Sequence, residues 1–179
     1  MSDRKAKKEL HGHALAALCL TTLLWTAGAD TPVADAAMRG EVEVVRTLLK
    51  QGSDANAAQG DGMTALHWAA ENGSREITAM LVFAGANLEA VTRLGDYTPL
   101  HLASKAGQGG TAETLLEAGA NPNAVTSTGA AMPLHFAAAA GSAQTVTTLL
   151  DHGAHVDAKE SQWEQTPLMF AAAFNRGEA

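Results

Sequence analysis

The chain has one cysteine, Cys19, and it lies inside an apolar run near the start. Leu18 precedes it where a lipoprotein cleavage site would need a small residue, so lipid attachment there is not expected. Long hydrophobic runs are equally scarce. The longest, Ala14 to Trp25, follows Arg4, Lys5, Lys7 and Lys8 and falls short of the roughly 20 residues that span a bilayer. A basic start, a short apolar stretch and the small-x-small site Ala27-Gly28-Ala29 read instead as a secretory signal peptide over 1–29. Its removal takes the only thiol with it, so an oxidising compartment has nothing to act on. Basic charge is then thin as well: residues 30–179 carry 8 Lys+Arg against 17 Asp+Glu, a net charge of −9. That field disfavours nucleic acid and anionic lipid; it either mildly favours a basic partner or only keeps the protein soluble.

Aromatic residues are few, but 46% of the side chains are hydrophobic and 17 glycines punctuate the chain at regular intervals. Such a composition suits a core of helices packed through small residues. The regularity is explicit at Thr98-Pro99-Leu100-His101, whose variants Thr31-Pro32-Val33-Ala34, Thr64-Ala65-Leu66-His67, Met132-Pro133-Leu134-His135 and Thr166-Pro167-Leu168-Met169 recur every 33 or 34 residues. Threonine at a helix start, proline at the first helical position, leucine for the core and a histidine able to bond back to the threonine make physical sense in that order. Gly40, Gly73, Gly107 and Gly141, with Asn175 in the last place, separate a first helix from a second, and Gly52, Gly85, Gly119 and Gly153 end the second. Ala57 to Met63, Ala90 to Tyr97, Ala124 to Ala131 and Ala158 to Gln165 read as projecting hairpin loops, or fingers, between units.

With these motifs the chain resembles the ankyrin-repeat family over residues 30–179. Asp61-Gly62-Met63-Thr64-Ala65-Leu66-His67-Trp68-Ala69-Ala70 and Leu115-Leu116-Glu117-Ala118-Gly119-Ala120-Asn121 carry the resemblance most closely. With the signal segment in front, the chain looks like the exported ankyrin-repeat proteins of Gram-negative bacteria. The resemblance implies an all-α solenoid of stacked helix-turn-helix units, with fingers and first helices forming a concave protein-binding surface. The units run approximately 30–57, 58–90, 91–124, 125–158 and 159–179, the fifth incomplete because it stops where its second helix should begin. Asp96 and Glu164 stand where a finger glycine is usual, Met132 replaces threonine, and the first unit lacks histidine.

Chemistry is sought next. His67, His101 and His135 lie on successive units, so helix packing separates them by about 8–10 Å. Nitrogens sharing one zinc must lie within about 4 Å of each other, so no metal site is expected. Gly107-Gln108-Gly109-Gly110-Thr111-Ala112 mimics a dinucleotide loop but has a helix before it where the fingerprint needs a strand. No G-x-S-x-G and no His-x-x-x-His occurs, so neither cofactor nor catalysis is expected. Trp68, Leu102, Phe136 and Phe170 form a column read as an apolar ridge between units, with Asp35 in the first unit facing outward as a terminal cap. The two glycines at 109 and 110 predict a second helix in the third unit that starts late.

The scaffold leaves Met63, Glu71, Asn72, Arg93, Tyr97, Lys105 and Trp163 free to vary, and these are the candidate partner-binding residues. The expected function is that of an exported, most simply periplasmic, monomeric scaffold that binds a protein and meets a membrane only during export. Secretion beyond the cell, or anchoring by an uncleaved leader, are the alternative destinations. From a different class, the array reads as the regulatory or targeting arm of a larger exported enzyme, and from a third as a spacer with bland fingers.

Overall fold

The computed structural model describes residues 31–177, and the signal segment expected over 1–29 lies outside them. Among the described residues the chain forms nine helices: α1 Pro32–Met38, α2 Val42–Lys50, α3 Ala65–Glu71, α4 Arg75–Phe83, α5 Pro99–Lys105, α6 Gly109–Glu117, α7 Pro133–Ala140, α8 Ala143–Asp151 and α9 Pro167–Ala173. The odd-numbered helices pack successively against one another as an inner layer, while α2, α4, α6 and α8 form an outer one. This is the all-α solenoid that the repeat pattern predicts.

Each inter-helix turn needs one residue in the left-handed region. Gly40, Gly73, Gly107 and Gly141 supply it at φ between 69° and 74°, and Asn175 at 55°, as a short polar side chain can. In the fingers the same demand falls on Gly62, then on Asp96, Ala130 and Glu164 at φ between 52° and 56°. The turn is therefore retained without glycine, at a backbone cost of about 1–2 kcal/mol per residue. Hydrogen bonds between the stacked fingers hold it: the amides of Arg93, Ser127 and Ser161 donate to the carbonyls of Asp61, Gly95 and Gly129 in the preceding finger, at 2.7–3.1 Å.

The core is a set of columns. Val33, Leu66, Leu100 and Leu134 are almost fully buried between inner helices, and Leu81, Leu115 and Leu149 lie between the layers. Each such side chain contributes about 1.5–3 kcal/mol relative to an exposed one. In the fifth unit the column ends with Leu168, which is exposed together with Met169 and Phe174. No second helix covers α9 among the described residues.

Two expectations are corrected. Helix α6 begins at Gly109, level with the starts of α2, α4 and α8, and not late. Burial of Thr111, Ala112, Leu115 and Leu116 outweighs the glycine cost, and the bare backbone leaves room for neighbours: a Cβ on Gly109 would lie 2.7 Å from Gln144 Cγ, and one on Gly110 2.9 Å from Arg75 Cδ. Asp35 does not project freely into water as an outward-facing cap would. It is half-buried and accepts hydrogen bonds from Gln59 Nε2 at 2.6 Å and Thr31 Oγ1 at 3.3 Å, because the second unit's finger supplies a donor in front of α1.

Candidate protein-binding surface

The histidine column positions the fingers on the inner helices. In the second unit His67 Nδ1 accepts from the Thr64 amide at 3.1 Å and meets Thr64 Oγ1 at 2.9 Å, while Nε2 reaches across to the Tyr97 carbonyl at 2.9 Å. His101 repeats the arrangement with Thr98 and the Ala131 carbonyl, and His135 with the Met132 amide and the Gln165 carbonyl. A carbonyl only accepts and a backbone amide only donates, so each ring is neutral with its proton on Nε2. Burial accordingly pushes all three below the ordinary histidine value, His101 to about 4. Both nitrogens are used in the scaffold, and among the described residues no three His, Cys, Asp or Glu side chains converge as a metal site would require.

The first helices are thus tied to the base of the next finger, and what the finger carries is aimed over them. Tyr97, at the base of the third unit's finger, sets its ring edge-on to His101 and Phe136, with centroids 6.0 and 5.6 Å away. Lys105 Nζ, from the end of α5, lies 5.7 Å from the centre of the Tyr97 ring. Two candidate residues are thereby brought together, from finger and helix, on one half-buried aromatic. Trp68 is engaged similarly: its indole N–H donates to Gln59 Oε1 at 2.8 Å, and the same amide donates to Asp35, which fixes the Gln59 orientation.

The other candidates separate. Glu71 and Arg93 are exposed. Asn72 is exposed too, but its amide nitrogen donates to the Ala37 and Met38 carbonyls at the end of α1, so it serves partly as a cap between units. Met63 is only 8% exposed and belongs to the core, because the second finger closes over it through the bond from the Gln59 amide to its carbonyl. Trp163 is 67% exposed and does not fold back on its neighbouring finger. Its backbone is nevertheless fixed, since the covered Glu160 carboxylate accepts from the amides of Trp163 and Gln162 at 2.7 Å and of Gln165 at 3.0 Å. Those bonds, chiefly that from Gln165, hold the Glu160 carboxyl below its usual range.

Sequence reasoning passed over two residues. Leu94, at the tip of the third unit's finger beside Arg93, is 85% exposed, where the equivalent positions hold Gly60, Thr128 and Gln162. Phe83, at the end of α4, is 95% exposed in a column otherwise occupied by Lys50, Glu117 and Asp151. Aligning the units on their glycines exposes both as apolar groups in polar columns.

The surface therefore offers a row of polar backbone turns with Leu94, Tyr97 and Trp163 among them, flanked by Glu71, Arg93 and Lys105. In comparison with known proteins, the family model for ankyrin repeats, in three copies, matches residues 10–92, 33–126 and 100–179.

Proposed function

The chain belongs to the ankyrin-repeat family, whose members are generally protein-interaction modules, and on that premise we propose an exported scaffold that holds a protein partner across its fingers and inner helices, without catalysis. The observation that carries this reading is Trp163: a large aromatic is left 67% exposed on a backbone locked by three hydrogen bonds to Glu160. A rigid anchor loses little entropy on binding, which is why such aromatics dominate the energetics of interfaces. The Tyr97 and Lys105 pair extends the surface toward the helices, and the acidity of residues 30–179 favours a partner that is basic where it meets them. Export rests on the leader-like residues 1–29, and the periplasm is its simplest destination, ahead of secretion or anchoring by an uncleaved leader.

A photo-crosslinking side chain placed at position 163, 71 or 105 in the exporting cell tests the reading directly. Each position should capture the same protein, on the far side of the membrane. Capture of different proteins at each position, or a product found only in the cytoplasm, would overturn it.

A further inference from the structure

The outer layer of the solenoid carries a second surface, on the side away from the inner helices. Three positions of α4 and the C-cap that follows it hold apolar residues there: Ala79, Met80 and Phe83, then Ala84. The corresponding columns elsewhere hold Arg46, Glu113 and Thr147; Thr47, Thr114 and Thr148; Lys50, Glu117 and Asp151; and Gln51, Ala118 and His152. The stacking of repeats does not ask for apolar groups at Ala79 and Phe83, which are exposed on the side away from the core that Ile77 and Leu81 fill, while Met80 is half-buried and packs partly against that core. Helices α2 and α4 also touch at fewer points than α4 and α6 or α6 and α8 do. The gap between them is an open groove, lined by Leu49 and those four residues, with Arg46 and Lys50 as its charged walls among the described residues. Arg46 shares its charge with Glu76 at 2.6 Å and Glu43 at 3.4 Å, whereas Lys50 makes no ion pair among the described residues.

We propose that this outer groove docks an acidic, amphipathic segment of a second protein, which lays an apolar side chain on Phe83 and Met80 and sets its carboxylates against Lys50 and Arg46. The charge decides among occupants. The chain's own apolar run is preceded by four basic residues, which Lys50 and Arg46 would repel. A second copy joined through the same groove would bring its Lys50 and Arg46 against these. An acidic segment meets Lys50, which has no ion-pair partner among the described residues, with Arg46 beside it sharing its charge with two glutamates, and its apolar side chain removes Phe83 from water. This partner differs in charge from the one proposed for the fingers and lies on another face. The repeat array can therefore hold both at once.

Selection of a random-peptide phage library on the full chain tests the proposal. Enriched peptides should combine Phe, Trp or Leu with Asp or Glu, and should bind at least tenfold more weakly to both Phe83→Ser and Lys50→Glu. Trp163→Ala should leave their binding unchanged. Phe83 is 95% exposed, so Phe83→Ser should keep the melting temperature of the parent, and Lys50→Glu, also at the surface, serves if it does not. Enrichment of basic or uncharged peptides, or of none that depends on Phe83, overturns the proposal. So does self-association in sedimentation that Phe83→Ser abolishes, which would assign the groove to a second copy.

Discussion

A protonated His101 would have to point an N–H at the Thr98 amide, which is itself a donor, and it is buried without a carboxylate to pair with. The neutral ring is therefore part of the fold, and acid acts against it. With the folded value at about 4 and an ordinary value near 6.5, folded and unfolded forms are both neutral above about pH 6.5. Below that the unfolded chain gains the proton first, so stability falls as the pH drops from about 6.5 toward 4. The slope approaches about 1.4 kcal/mol per pH unit for each such histidine. His67 and His135, which burial also holds below the ordinary value, add to it in the same direction. Glu160 itself loses its hold on the fifth unit's finger at lower pH, as its carboxylate protonates. Urea midpoints measured between pH 7 and 4 should fall steadily. His101→Gln, which removes one titrating ring, should flatten the curve while lowering it throughout.

At the scale of the element, α6 is the instructive helix. Its two leading glycines cost about 1 kcal/mol each relative to alanine, yet the helix starts in register because its neighbours bury the residues that follow. The local weakness remains, and hydrogen exchange should show the first turn of α6 opening before those of α4 and α8. Gly110→Ala should slow that opening and raise stability by up to about 1 kcal/mol, because the displaced Arg75 side chain is exposed and its pair with Glu113 is a surface one. Unchanged exchange rates in that variant would mean that packing alone sets the opening. Much of the fold is legible in the sequence because repetition multiplies each signal: one Gly or His is ambiguous, while four glycines or three histidines at equal spacing specify a turn or a bridge. The start of α6 was not legible, since propensity describes one helix and the outcome was decided between three. Asp35 was misread for a similar reason. Its partner Gln59 belongs to the next unit's finger, and nothing in the local sequence announces the meeting. Of the candidate binding residues, Met63 looked free because it sits in a loop, but in a stacked loop one side chain turns inward. Phe83 and Leu94 were visible as departures from their columns, a signal that emerges only when every unit is aligned.

For the molecule as a whole, the decisive question is whether the aromatics that project from the fingers serve a partner or the fold, and Trp163 and Tyr97 answer it differently. Trp163 is mostly exposed, so Trp163→Ala should leave the melting temperature within the range of an ordinary surface change. If the fingers are the binding face, it should still weaken the finger-bound complex by about 2 kcal/mol or more, chiefly through faster dissociation. Tyr97→Ala removes edge contacts with His101 and Phe136 and the platform beneath Lys105, so it should lower both the melting temperature and the affinity. Glu71 lies exposed at the end of α3, and Glu71→Lys should mainly slow association with a basic partner, an effect that rising salt erases within about a Debye length. The three variants separate anchor, support and steering in one titration series by surface plasmon resonance. Loss of affinity only where stability is also lost would return the finger aromatics to the scaffold and leave the outer groove at Phe83 as the binding face.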